Sequence, residues 1–127
     1  MNEQIDTKEE FSIMKRGRSF VHAGRGLILF IRTTHNAWIH ITIAILAIIL
    51  GLYLKISTTD WIFVIFAIGF VLVAEAFNTA IEIDINLTSP DYHPYARDTK
   101  DVAAAAVLLA SITAAIIGLF IFIPYFI

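Results

Sequence analysis

The sequence predicts an all-α membrane protein: three transmembrane helices preceded by an amphipathic helix on the membrane surface. Three observations carry this. Of 127 residues, 58% are hydrophobic, against about 45–50% in a soluble domain. The excess collects in three long apolar runs instead of spreading along the chain. Trp38, Tyr53, Trp61 and Tyr125 stand near the ends of those runs, where amphipathic aromatic rings favour the membrane–water interface.

Residues 1–14 read as a polar, acid-rich, solvated tail. They lack the basic start and short apolar stretch of a cleavable signal. Residues 15–127 suit a single domain. Within 15–33, Phe20, Gly24, Leu27 and Ile31 recur at helical spacing. Arg18, Arg25 and Arg32 recur every seven residues on a different face. Such a helix lies in the interface, its basic side toward lipid headgroups or other phosphates. The spans are expected at about 37–54, 61–83 and 102–125. A hydrocarbon core of about 30 Å needs roughly 20 helical residues. The third span carries Ala106, Ala110, Ala114 and Gly118, a small-residue stripe along which another helix can pack closely, within the subunit or in an oligomer.

Charge excludes some functions and orients the chain. A net charge of −2 provides no basic field, so no nucleic-acid partner is expected. With no cysteine, disulfides and thiolate metal sites are ruled out. Lys8, Lys15, Arg16, Arg18, Arg25 and Arg32 precede the first span, and Arg97 and Lys100 lie between the second and third. Only Lys55 lies between the first and second. The positive-inside rule therefore puts the N-terminus and the 84–101 loop in the cytoplasm.

The second span carries the chemistry. Glu75, Asn78 and Glu82 are spaced i, i+3 and i+7 and share one helix face. Thr79 lies beside them. Glu75 lies roughly 21 Å along the helix from Trp61 and Glu82 roughly 31 Å. This places Glu75 within the leaflet and Glu82 near cytoplasmic water. An ionisable side chain inside a membrane is a functional-site hypothesis by default. A desolvated carboxylate suits a general base, and one at the watery end suits Mg²⁺. The pair fits deprotonation of a lipid hydroxyl beside a cytoplasmic nucleotide, since phosphoryl transfer needs mainly positioning and charge neutralisation.

Residues 91–95 (Asp-Tyr-His-Pro-Tyr) break the helix, and Arg97, Asp98, Lys100 and Asp101 lead into the third span. Lys100 offers charge to nucleotide phosphate. Asp101, near an expected helix start, offers either a cap or a metal ligand. His93 beside Pro94 reads as a turn residue. No P-loop and no protein-kinase signature set is present, so ATP, if bound, is held by another arrangement.

These residues resemble the prokaryotic-type diacylglycerol kinase family, which includes the undecaprenol kinases. The resemblance spans about Ser19 to the end. It rests on Glu75-Ala76-Phe77-Asn78-Thr79-Ala80-Ile81-Glu82, and on Ser89-Pro90-Asp91-Tyr92-His93-Pro94 followed by Lys100-Asp101-Val102-Ala103. Weaker support comes from Ser19-Phe20, Arg25-Gly26-Leu27, His35-Asn36 and Ile39-His40. It implies a homotrimer in the bacterial inner membrane, with active sites at subunit interfaces near the cytoplasmic surface. ATP and Mg²⁺ are the implied substrate and cofactor, and a lipid alcohol, undecaprenol or diacylglycerol, the acceptor. By motif, Glu75 is the implied general base and Glu82 the Mg²⁺ ligand. Asn78, Lys100, Asp101, Lys15 and Arg25 are the implied nucleotide contacts. The chain departs from the pattern in two places. Many relatives carry a glutamate, thought to help hold the metal, where this chain has Thr34. Some carry an aspartate where it has Asn86. Asp84 or water is a candidate substitute ligand. Alternative readings are a small non-catalytic channel, an assembly subunit, or a degenerate relative of the kinases.

Overall fold

The computed structural model describes residues 13–127. Residues 1–12 of the expected tail lie outside the described residues, while Ile13 and Met14 open the first helix. Four helices follow one another: α1 (Ile13–Thr33), α2 (His35–Leu54), α3 (Thr58–Thr88) and α4 (Pro94–Phe122). A 3-10 turn, Ile123–Tyr125, follows α4. No strand occurs among the described residues, and the last three helices are each long and apolar enough to cross a membrane.

The helix ends follow from local chemistry. Thr34 alone separates α1 from α2. Its backbone is extended (φ −104°, ψ 101°), yet its N–H still donates to the Phe30 carbonyl and its carbonyl still accepts from Ala37 N–H, both at 3.1 Å. At the far end of α2, Lys55 adopts the left-handed conformation (φ 51°). The Lys55 N–H then turns back to Leu52 O, and Ile56 N–H to Gly51 O, which satisfies carbonyls the helix leaves open. Ser57 caps α3 by accepting from Asp60 N–H at 3.1 Å. The Tyr125 hydroxyl donates to Asp60 Oδ2 at 2.8 Å and accepts from Ser57 N–H at 3.3 Å. The chain's last turn is thereby tied to the α2–α3 loop.

Two helices extend beyond the apolar runs. α3 continues to Thr88, and α4 begins at Pro94, two turns before its run. Pro94 occupies the start of α4, and His93 Nδ1 accepts from Tyr95 N–H at 3.2 Å as the cap. Proline at a first helical position loses no intrahelical bond. The polar turns Arg97–Asp101 are therefore helical, which hydropathy alone does not reveal.

Packing is built on small residues. On α2 the buried positions are Ala37, Ala44 and Gly51, seven apart. They face α3, whose buried positions are Val64, Ala67, Val71, Glu75 and Asn78. Ala103, Ala110 and Ile121 are the buried positions of α4. Without a hydrophobic drive between helices in lipid, close backbone approach is what holds such a bundle. Gly51 shows how close it is: a Cβ there would stand 2.9 Å from Trp61 Cη2. A cluster of Ile56, Val64 and Ile121, backed by Trp61, Ile68 and Ile117, fills this end. The α4 stripe is partly consumed within the subunit, with Ala110 buried and Ala106 exposed.

α3 runs along both α4 and α2, while α2 and α4 hardly meet. The gap between them is a cavity of about 440 Å³, lined by His40 and Ala47, Val71, and Ser111, Ala114 and Gly118 among others. Many large apolar side chains elsewhere, such as Ile45, Phe66 and Leu109, are exposed, as a lipid-facing surface requires. α1 is exposed along almost its whole length and buries only Phe30.

Candidate active site

The carboxylate stripe of α3 lies where helical spacing places it, on the face turned into the bundle. Glu75 is the most deeply buried large side chain described, 1% exposed, and Asn78 is 9% exposed. Glu75 Oε1 meets His40 Nε2 of α2 at 3.0 Å. Which of the two atoms donates is set by the tautomer of the His40 ring. Glu75 Oε2 has no hydrogen-bond partner, nor has Asn78 Oδ1. Buried polar atoms are almost always paired, so two orphaned oxygens less than two turns apart single out this stretch of α3.

One turn further on, Asn78 Nδ2 donates to Glu82 Oε1 at 3.4 Å. Glu82 itself is exposed. The stripe continues another turn to Asn86, whose Oδ1 accepts from Lys100 Nζ of α4 at 2.6 Å. Residues 75, 78, 82 and 86 thus form one line of polar groups about 16 Å long. It runs from a dry carboxylate to a solvated ammonium. Around that last contact lies a second cavity, of about 290 Å³, lined by Asn86, Ser89, Tyr92, His93, Arg97, Lys100 and Asp101 among others. Arg97 is held there by the Tyr92 hydroxyl at 3.2 Å and by Asp98 at 3.1 Å.

The sequence-derived site residues fall into three groups. Glu75, Asn78 and Glu82 share the α3 face. Lys100 and Asp101 line the second cavity together with Asn86. Lys15 and Arg25 lie on α1, which meets the bundle through α2; neither lines either of the two cavities. Asp101 does not cap a helix: α4 starts at Pro94, so Asp101 lies two turns inside it. Asp84 does not join the stripe either. Two residues beyond Glu82 on a helix, it points away from it.

Thr34 stands against the stripe. Its hydroxyl and that of Thr79 lie 2.7 Å apart, beside Asn78. The residue that sequence reasoning left without a role is His40. It had a signal, as an ionisable side chain inside an apolar run.

The oxygens of Glu82 and Asn78 are hard donors of the kind Mg²⁺ takes. Among the described residues no three His, Cys, Asp or Glu side chains converge on a metal-sized site. An ion here would complete its shell with water and nucleotide phosphates, which is the ordinary habit of Mg²⁺.

A model described as prokaryotic diacylglycerol kinase matches residues 21–122. The chain belongs to the prokaryotic diacylglycerol kinase family. It is 37% identical over 121 residues to the undecaprenol kinase of Bacillus subtilis, covering 94% of this chain and 98% of that protein. It is 33% identical over 107 residues to a diacylglycerol kinase of Synechocystis sp., covering 84% of this chain and 61% of that one. A diacylglycerol kinase of Helicobacter pylori is 26% identical over 110 residues, covering 81% and 86%. The family match takes in the second half of α1 and the whole of α2, α3 and α4, and with them every residue of the polar stripe. Family membership makes lipid phosphorylation the activity against which the site's geometry is read.

Proposed function

We propose that this chain uses ATP and Mg²⁺ to phosphorylate a membrane lipid alcohol in the bacterial inner membrane. Undecaprenol is the favoured acceptor and diacylglycerol the runner-up. One observation carries the reading: a buried carboxylate with an unpartnered oxygen, Glu75 Oε2, shares a helix face with a solvated carboxylate, Glu82. Phosphoryl transfer to an alcohol needs a proton acceptor in the lipid layer and oxygen ligands at the water boundary. The stripe offers both in that order.

In this reading Glu75 takes up the proton released by the acceptor hydroxyl. Glu82 would hold Mg²⁺, which would neutralise phosphate charge there, and Asn78 would contact the nucleotide–metal group. Lys100 and Asp101 form the nucleotide side of the site, with Tyr92 and Arg97 on the wall of the same cavity. Lys15 and Arg25 of α1 approach the phosphates from the surface helix. The N-terminus and the 84–101 segment face the cytoplasm, where ATP is. Assembly as a homotrimer would bring α1 of one subunit toward the stripe of another, which accounts for basic residues on α1 that line neither cavity. The identity to a Bacillus subtilis undecaprenol kinase along nearly its whole length favours the polyprenol acceptor.

The test is transfer of labelled phosphate from ATP in detergent micelles, with diacylglycerol and undecaprenol offered separately. Labelling of one lipid that disappears in Glu75→Gln, with the oligomer intact, supports the reading. No labelling of either lipid at any Mg²⁺ concentration would sink it.

A further inference from the structure

Glu75 presents a difficulty as a direct base. Its side chain keeps only 1% of its surface, whereas that of His40 keeps 20%. An acceptor hydroxyl therefore has no surface of Glu75 to touch in this packing. His40 is the group that bridges the two regions: Nε2 meets Glu75 Oε1 at 3.0 Å, and the same side chain lines the apolar cavity between α2, α3 and α4. Nδ1 of His40 makes no hydrogen bond among the described residues. With Nε2 as the donor to Glu75, Nδ1 is the ring's acceptor nitrogen.

We infer that His40 is the catalytic residue that touches the acceptor alcohol, and that it passes the proton on to Glu75. This rests on the lipid-kinase reading above and deepens it. As the alcohol oxygen forms its bond to the γ-phosphorus, the bridging P–O bond breaks and ADP leaves. The alcohol's proton moves to His40 Nδ1, and the Nε2 proton moves to Glu75 Oε1. The histidine begins and ends neutral with its tautomer reversed, and the proton's charge is absorbed by the carboxylate. Glu75 Oε2 has no hydrogen-bond partner, so His40 makes the one hydrogen bond that the carboxyl has among the described residues. A carboxylate behind an imidazole fixes the ring's tautomer and compensates the charge it takes up, a division of labour that recurs on unrelated folds.

A purely supporting histidine would behave differently, and two variants separate the roles. His40→Gln keeps a neutral donor that can hold Glu75 Oε1 but cannot move a proton between two nitrogens. His40→Ala leaves room for added imidazole beside the cavity. With the full-length protein in micelles, the expected result is a fall in kcat of about 100-fold or more for both variants, the usual share of acid–base catalysis. KM for ATP should stay within twofold. Imidazole should restore His40→Ala in a saturable manner and leave His40→Gln unchanged. Recovery in His40→Ala also reports that the variant is folded. If His40→Gln keeps kcat within threefold of the unaltered chain, or if imidazole restores nothing to His40→Ala, the relay is wrong. In either case phosphorylation by the unaltered chain, still lost in Glu75→Gln, leaves the lipid-kinase reading standing. An unaltered chain that labels no lipid overturns both.

Discussion

The hydroxyls of Thr34 and Thr79 lie 2.7 Å apart, joining the one-residue break between α1 and α2 to the polar stripe of α3. Position 34 is therefore not remote from the site. A longer side chain there reaches the neighbourhood of Asn78 and Glu82. Thr34→Glu is expected to lower the Mg²⁺ concentration needed for half-maximal activity and to tighten Mg²⁺ binding measured calorimetrically without nucleotide. An unchanged Mg²⁺ requirement would show that position 34 does not serve the metal. Thr34→Val removes the bond and is expected to lower stability by about 1 kcal/mol, the net worth of one such hydrogen bond. Thermal unfolding in detergent measures it.

Glu75→Gln keeps the size of the side chain and removes its ability to accept a proton. Lipid phosphorylation is expected to fall by at least about 100-fold while the helical circular-dichroism signal stays. The carbonyl oxygen of the amide can still accept from His40 Nε2, so the contact between α2 and α3 is kept.

Lys100 is held by a neutral amide, Asn86, at 2.6 Å. Among the described residues no carboxylate pairs with it, so its charge remains available to phosphate. Lys100→Met is expected to raise KM for ATP by about 10–100-fold, the range of one charge-assisted hydrogen bond. KM for the lipid should stay within about threefold. A lipid effect larger than the ATP effect would move Lys100 out of the nucleotide site.

Gly51→Ala tests the packing of α2 on α3. Its Cβ would fall 2.9 Å from Trp61 Cη2 and 3.0 Å from Ile56 Cδ1, and the indole has no free end to yield. Overpacking of this kind costs about 1–3 kcal/mol. Gly69→Ala is the control, because a Cβ there meets nothing within 4 Å and alanine is the better helix former. Thermal unfolding of both variants should show a drop in the first and none in the second.

The sequence showed the α3 stripe clearly, because Glu75, Asn78 and Glu82 interrupt an apolar run at helical spacing, and a charged group in lipid has few explanations. It also marked the three apolar helices by hydropathy. It could not show where α4 starts. Arg97, Asp98, Lys100 and Asp101 look like loop, and only the proline at position 94 and the His93 cap make them helical. Asp101 was consequently open to a capping reading that two preceding helical turns remove. His40 was hidden for another reason. Its importance lies in a contact with a residue 35 positions away, and no local pattern carries a tertiary distance. The seam of Ala37, Ala44 and Gly51 was equally silent, since small residues in an apolar run are common and only packing singles out these three.

Gly51 against Trp61 and His40 against Glu75 fasten α2 to α3 at two places eleven residues apart, roughly 16 Å along the helix. A rod held at two points can flex between them but cannot slide or roll without releasing both. Under the proposed relay, a lipid chain entering between α2 and α4 would meet an imidazole whose place is fixed by the second of these fastenings. In that reading the width of the gap between α2 and α4 would set the choice of acceptor, apart from the proton path.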